Sequence, residues 1–280
     1  MQDYQLTPQM IVNFGLHLRA EELAPGTIEK YLRDARAFSA FLDGHPATKE
    51  LAAQWKDHLL AGGHKPSTVN SMLAAVNGLF RFLGWGIRVK FLKVQRRLFR
   101  DQSRELTRGE YDLLVNTARA AGKERLALLM EAVCATGVRV SEVKYLTVEA
   151  AQCGRAEIAL KGKIRTILLP NKLCRKLLKY ARKQKIASGE IFLTRSGRSL
   201  SRRQIWAEMK QLCKATGVAS EKVYPHNLRH LFARTFYQAC KDIARLADVL
   251  GHSSIETTRI YLVTTGAEQV RQLDRLGLVS

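Results

Sequence analysis

The chain has 280 residues, enough for one large domain or two modest ones, and 46% of them are hydrophobic, which excludes a disordered protein. Its 46 lysines and arginines face 25 aspartates and glutamates, so the formal net charge is +21 at pH 7. Such a charge favours a polyanionic partner, nucleic acid before an anionic membrane surface. No apolar run approaches the roughly 20 residues that cross a bilayer, and no signal peptide is visible, which predicts a cytoplasmic protein.

Four helices are predicted in the first hundred residues. Apolar residues follow helical spacing from Thr27, after the break at Pro25-Gly26, and again after Pro66-Ser67. Shorter helices are predicted over Pro8–Ala20 and over 48–61.

A basic stretch follows, over residues 88–104, and it is either a solvated charged face or a linker laid against phosphates. Thr107 and Glu110 then have the spacing of a capping box, which marks the start of a helix and favours the linker. We therefore predict a helical domain over 1–98, a linker over 99–106 and a second domain over 107–280. Both domains are basic, as a two-part DNA clamp would require. The candidate DNA-binding residues here are Lys90, Lys93, Arg96, Arg97 and Arg100.

The second domain is predicted to be mainly helical with one β-hairpin. Residues 157–160 and 164–169 have strand character and flank the turn Lys161-Gly162-Lys163, whose lysines are either solvated or inserted beside a DNA phosphate. A basic helix over 172–185 follows, and a further helix carries Trp206. The predicted fold class is mainly α with a small β-hairpin in the C-terminal domain.

Three further segments carry residues suited to anion chemistry. Arg139 and Glu142 lie three apart, as in an arginine oriented by a carboxylate or in an ordinary surface salt bridge. His226 and Arg229 have the same spacing after Pro225, typical of a binding pair or of a core histidine beside a surface arginine. The third segment has His252 and, nine residues later, a tyrosine that is either reactive or packed in the core.

Metal chemistry is not predicted. His226 and His230 are four apart, but the glutamate of a zinc-protease motif and any nearby third ligand are missing. The five cysteines are odd in number and widely spaced, which argues against a disulfide framework and a zinc ribbon. Charge stabilisation must then come from cationic side chains, and Tyr261 is the candidate attacking group on a phosphodiester.

The complete order Arg, Lys, His-x-x-Arg, His, Tyr resembles the tyrosine recombinases, a family that includes bacterial Xer recombinases and phage and transposon integrases. The resemblance covers nearly the whole chain. It implies that Arg139 and Arg229 hold the scissile phosphate, with Glu142 supporting Arg139 from behind. It also implies that Tyr261 is the nucleophile, which forms a 3′-phosphotyrosine and releases a 5′-hydroxyl.

The resemblance assigns the remaining proton-transfer roles as well. Lys161 on the hairpin is implied to be the general acid for the leaving 5′-hydroxyl, with Lys163 as a weaker candidate and a DNA contact. His226 is implied to assist proton transfer at the tyrosine, and His252 to bond the phosphate and position the attacking group.

The family also implies a helical core-binding domain and a catalytic domain that together clamp duplex DNA, without a cofactor. The expected function is site-specific recombination by a homotetramer in the synaptic complex, with a monomer or weak oligomer off DNA, at the nucleoid. Two alternatives stay open, a type IB topoisomerase-like enzyme and an inactive DNA-binding architectural relative. The paired N-terminal helices favour the recombinase, as does the helix-forming tail over 267–276, which either folds back on its own domain or, as the resemblance implies, docks on a neighbouring protomer.

Overall fold

The computed structural model describes residues 4–94, 102–160, 163–261, 270–271 and 274–277, without the side chains of Gln102, Leu160 and Lys163. The chain divides into two compact units between Arg96 and Arg97. Lys161 and half of the 267–276 tail lie outside the described residues, as do Arg96, Arg97 and Arg100. The described residues are mainly helical with one β-hairpin in the second unit, which confirms the predicted fold class.

Four helices form the first unit, and three of them begin with a proline at the first helical turn, where its missing N–H costs nothing. Helix α2 starts two residues before the predicted Thr27, and Thr48 is the N-cap of α3 rather than its first residue. Trp55, Phe38 and Phe80 pack edge to face in the core of this unit. The helices are α1 (Pro8–Ala20), α2 (Pro25–Leu42), α3 (Lys49–Ala61) and α4 (Pro66–Phe82).

An extended segment over 87–94 runs along α4. Asn77 exchanges two hydrogen bonds with the backbone of Val89, both 3.0 Å, and Asn70 does the same with Leu92 at 2.8 and 2.9 Å. Side chains alternate over the first four residues, so Ile87 and Val89 are buried while Arg88 and Lys90 are exposed, and Lys93 is exposed further along the segment. The basic stretch that looks poorly periodic in sequence therefore presents these two lysines to solvent.

The first α-helix of the second unit follows Thr107, which forms the predicted capping box with Glu110. Two short 3-10 helices also lie in this unit, one at Gln102–Arg104 and one at Ser220–Lys222. The first α-helices of the unit are α5 (Arg108–Ala120), α6 (Glu124–Thr136) and α7 (Val148–Cys153), with a 3-10 helix at Val140–Tyr145. The later ones are α8 (Asn171–Lys183), α9 (Arg202–Thr216), α10 (Pro225–Cys240), α11 (Ile243–Leu250) and α12 (Ile255–Arg259).

The predicted hairpin is present as β1 (Arg155–Leu160) and β2 (Lys163–Leu168), paired antiparallel from Arg155 opposite Leu168 to Leu160 opposite Lys163. Its inner face buries Ile158 and Ile167 in the core of the second unit. Its outer face leaves Ile164 and Leu168 exposed, at 80% and 76%. In the part of the chain that the structure describes, no helix has the length and apolar character needed to span a membrane.

Candidate active site

Arg139 and Glu142 form an ion pair at the start of the 3-10 helix Val140–Tyr145. Arg139 Nη1 lies 3.0 Å from Glu142 Oε1, and the Arg139 backbone N–H donates to Glu142 Oε2 at 2.9 Å. Burial opposes ionisation of the Glu142 carboxyl, but this backbone hydrogen bond and the arginine charges outweigh it and lower its pKa. The carboxylate is buried while the Arg139 side chain is 37% exposed, so the pair presents a fixed guanidinium to solvent.

Arg229 lies on the first turns of α10 and is only 1% exposed, so the surface-arginine alternative is wrong. Its guanidinium donates to Gly137 O, to Leu250 O at 2.8 Å and to His252 Nε2 at 3.0 Å. Burial and the charge of Arg139 lower the pKa of Arg229 to about 10, and its contact with the Tyr261 hydroxyl acts in the opposite direction. At neutral pH, Arg229 is therefore a buried cation held at the ends of α6 and α11.

Two glycines are the C-caps of α6 and α11, the helices whose last carbonyl groups bind the arginines of the site. Gly137 ends α6 with φ +66°, and Gly251 ends α11 with φ +63°, both in the left-handed region. A Cβ on Gly137 would lie 2.5 Å from the Phe232 ring, and a Cβ on Gly251 would lie 2.5 Å from Arg165. Glycine at these positions lets the carbonyl groups face the guanidinium groups without a side chain in the way.

We expect Gly137→Ala to lower the free energy of unfolding by more than Gly122→Ala does. Gly122 has nearly the same φ, +67°, but open space around its Cα, so its substitution costs about 1–2 kcal/mol of backbone strain alone. At Gly137 the clash with Phe232 adds about 1–3 kcal/mol of overpacking. Urea unfolding of both variants measures the difference, and equal losses would contradict the clash.

His252 connects the buried arginine to the tyrosine. Because an arginine N–H can only donate, His252 Nε2 accepts from Arg229, and Nδ1 then carries the proton and donates to Thr258 Oγ1 at 2.9 Å. The His252 ring stacks on Tyr261 with centroids 5.9 Å apart and an interplanar angle of 11°. Tyr261 follows α12 and is 4% exposed.

Two further imidazoles surround Tyr261. The His230 ring meets it edge to face at 4.6 Å, and the His226 ring centroid lies 6.5 Å away. Burial and the charges of Arg229 and Arg139 lower the pKa of His226. Burial and nearby cations lower the pKa of His252 to about 4, and burial with His226 and Arg234 lowers that of His230 to about 3. His252 and His230 are therefore neutral at pH 7.

These lowered pKa values predict acid sensitivity. An unfolded histidine titrates near 6.5, so below that pH the unfolded chain binds more protons than the folded one until the folded pKa is reached. We expect the free energy of unfolding to fall between pH 6.5 and 4, by up to about 1.4 kcal/mol per pH unit for each histidine. Denaturant titrations at several pH values measure the slope.

The matched variants for this experiment are His230→Asn and His64→Asn. His64 is exposed in the first unit, so its variant is expected to keep the parental slope, whereas His230→Asn makes it shallower. A parental slope in both variants would remove His230 as a source of the acid sensitivity.

Sequence reasoning missed Arg165 and gave His230 no role beside Tyr261. Arg165 on β2 donates to Glu142 Oε2 and to Leu250 O, which adds a third guanidinium to the site. The structure brings together Arg139, Glu142, Arg229, His252 and Tyr261, with His226 at the edge. Lys161 lies outside the described residues, and the Lys163 side chain is not described either.

An open cavity of about 410 Å³ adjoins His226. Besides His226 it is lined by Val140, Arg202, Arg203, Trp206, Tyr224 and Pro225. Among the described residues, no group of three or more His, Cys, Asp and Glu side chains is placed to hold a metal ion. The site holds three guanidinium groups, of Arg139, Arg165 and Arg229, and one carboxylate, of Glu142, and this excess of positive charge suits an anionic group.

Two family models match the chain. The phage integrase family model covers residues 104–267, and the model for the phage integrase N-terminal SAM-like domain covers residues 11–86. The chain belongs to the phage integrase family.

Known relatives agree with this assignment. The tyrosine recombinase XerC of Roseiflexus castenholzii is 32% identical to this chain, and the match covers 90% of this chain and 88% of the relative. The tyrosine recombinase XerA of Pyrococcus furiosus is 26% identical, and the match covers 100% of this chain and 98% of the relative. The protein is accordingly a site-specific tyrosine recombinase, as its sequence motifs suggest. A crystal structure of a lambda integrase tetramer bound to a Holliday junction has the same fold, with a TM-score of 0.73 and 18% identity over 92% of this chain and 78% of the other.

Proposed function

We propose that this recombinase cleaves and rejoins duplex DNA through a 3′-phosphotyrosine at Tyr261. The observation that carries the proposal is the contact of the Tyr261 ring and hydroxyl with His252 and with the buried cation Arg229. The phenol oxygen attacks phosphorus and loses its proton, while the bond to the 5′-oxygen breaks and that oxygen gains a proton. Attack by a 5′-hydroxyl of another strand reverses these steps and rejoins the DNA.

Arg139 and Arg229 are proposed to bind the scissile phosphate. Attack builds negative charge on its nonbridging oxygens, and fixed guanidinium donors stabilise that charge best. Contacts to Gly137, Leu250 and His252 use three of the five N–H groups of Arg229, which leaves two for the phosphate and the tyrosine oxygen. Glu142 supports this role because it fixes the direction of Arg139.

The proton transfer at the tyrosine is assigned to His226 and that at the 5′-oxygen to Lys161, while His252 is proposed to bond the phosphate and to position the attacking group. A neutral imidazole has a lone pair that can accept the phenol proton, and the lowered pKa of His226 supports that state at pH 7. The role of Lys161 as general acid for the 5′-oxygen rests on the family resemblance alone.

The DNA is proposed to be held between a helical domain over 1–98 and a catalytic domain over 107–280, joined by the 99–106 linker. Exposed Lys90 and Lys93 support phosphate contacts near that linker, and we assign Arg96, Arg97, Arg100 and Lys163 to the same set. With about 6–10 phosphate contacts, affinity is expected to fall roughly 10³–10⁵-fold between 50 and 200 mM salt. Gel-shift titrations at both salt concentrations measure this, and a flat response would contradict the clamp.

We infer that the active assembly is a homotetramer on two DNA sites, with a monomer or weak oligomer off DNA, acting at the nucleoid in the cytoplasm. The tetrameric lambda integrase of the same fold supports the assembly. The recombinase relatives favour this function over a topoisomerase or an inactive architectural protein.

A nicked duplex that traps the cleaved strand tests the proposal. The expected product is a covalent adduct that survives denaturation, carries the DNA through a 3′-phosphate on the peptide containing Tyr261, and forms in excess chelator. Absence of an adduct on DNA that the protein binds specifically would favour the inactive relative. Relaxation of supercoils without site preference would favour the topoisomerase.

A further inference from the structure

Arg165 occupies an inward-facing position of the hairpin. It pairs with Ile158 of β1, which is buried, whereas its neighbour Ile164 faces solvent. Opposed residues of an antiparallel pair share one face of the sheet, so the Arg165 side chain enters the second unit beside apolar residues. Burial of a guanidinium among such residues is unfavourable and lowers the pKa of Arg165, an effect that Glu142 opposes.

The guanidinium of Arg165 joins two segments far apart in the chain. Its Nη2 donates to Glu142 Oε2, and its Nη1 donates to the carbonyl oxygen of Leu250 at the end of α11. The Cδ and Nη1 atoms of Arg165 would each lie 2.5 Å from a Cβ on Gly251, so the side chain fills the space that the glycine leaves. Arg165 is therefore fitted to this site both through its donors and through its shape.

These contacts complete a closed ring with Arg139. Arg139 Nη1 donates to the other oxygen of Glu142, and Arg139 Nη2 lies 3.4 Å from the Gly251 carbonyl oxygen. Leu250 also accepts from Arg229, and the next residue after Gly251 is His252. A shift of Arg165 thus moves the groups that hold Arg139, Arg229 and His252 at the same time.

We propose that Arg165 is a positioning residue of the recombination site, which fixes Arg139 and the end of α11 by bridging Glu142 and Leu250. The inference rests on the proposed function, because it assigns Arg165 to the geometry of the same phosphate site. A planar fork can reach a carboxylate and a separate carbonyl oxygen together, whereas a lysine ammonium is a point charge on a flexible stem. The role therefore requires the arginine fork and not only its charge.

The experiment compares cleavage rates on a nicked trapping substrate for the parent, Arg165→Gln, Arg165→Lys, Glu142→Gln and the double variant Glu142→Gln/Arg165→Gln. Arg165→Gln is expected to cleave about 10²-fold more slowly, the loss that a misplacement of about 1 Å produces, with DNA affinity within a few-fold of the parent. Arg165→Lys is expected to recover little of the rate. The double variant is expected to be about as slow as the slower single variant, because both act through one ring.

Arg155→Gln is the matched control, since Arg155 is the exposed arginine of the same hairpin, and it is expected to keep the parental rate. A parent that forms no Tyr261 adduct would defeat the proposed function itself. With an active parent, the inference is overturned by a parental rate in Arg165→Gln or Arg165→Lys, or by losses that multiply in the double variant. Loss of the folded state in Arg165→Gln, measured by thermal unfolding, would overturn it too, since Arg165 would then serve stability.

Discussion

Replacement of Tyr261 by phenylalanine is expected to abolish the covalent protein–DNA adduct and to leave DNA affinity within a few-fold of the parent. Phenylalanine keeps the ring that meets His252 and His230, so the packing of the site is retained and only the attacking oxygen is lost. Affinity comes mainly from phosphate contacts elsewhere, which this substitution does not touch. Denaturing gels of the trapping substrate measure the adduct, and gel shifts measure the affinity.

Tyr237→Phe is the matched control for this prediction. Tyr237 packs against the same apolar cluster as Tyr261 and loses the same hydroxyl group in the variant. We expect it to form adduct at the parental rate. An adduct in Tyr261→Phe that maps to a different residue would remove Tyr261 from the nucleophile role.

Local sequence signals predicted the elements of the fold well. The prolines at 8, 25 and 66 and the capping box at Thr107 mark helix starts through short-range chemistry, and all four starts lie within two residues of the prediction. The Arg139–Glu142 pair was also predictable, because a spacing of three brings two side chains together in a 3-10 as well as an α-helix.

Residues whose environment depends on distant segments were not predictable in the same way. Strand β2 alternates Ile164 and Leu168 with Arg165 and Ile167, and both faces look apolar enough to be buried. Which face is inside depends on Glu142 and Leu250, which lie 23 and 85 residues away in sequence and offer acceptors only to the arginine. A surface position was likewise one alternative for Arg229, because no local sequence signal shows that the carbonyl groups at the ends of α6 and α11 accept hydrogen bonds from it.

Substitution of Arg229 by lysine is expected to slow cleavage about 10²–10³-fold with little change in DNA affinity. The lysine keeps a positive charge, but it lacks the planar fork that reaches Gly137, Leu250 and His252 together and still faces the phosphate. Removal of one fixed donor from a site that stabilises developing negative charge costs a rate factor of about that size. Single-turnover cleavage of the trapping substrate under saturating protein measures the rate without a contribution from binding.

Arg234→Lys separates this role from the general cost of replacing a buried arginine. Arg234 lies on the same helix, and its guanidinium binds Leu106 O at 2.7 Å and Glu105, away from Tyr261. Both substitutions replace a planar guanidinium group by a compact ammonium group at a largely buried position, so both are expected to lower the stability of the second unit. Only Arg229 contacts His252 and the tyrosine, and therefore only Arg229→Lys is expected to lose the cleavage rate at a temperature where both variants are folded. Equal cleavage rates for the two variants under those conditions would show that Arg229 stabilises the fold without binding the reacting phosphate.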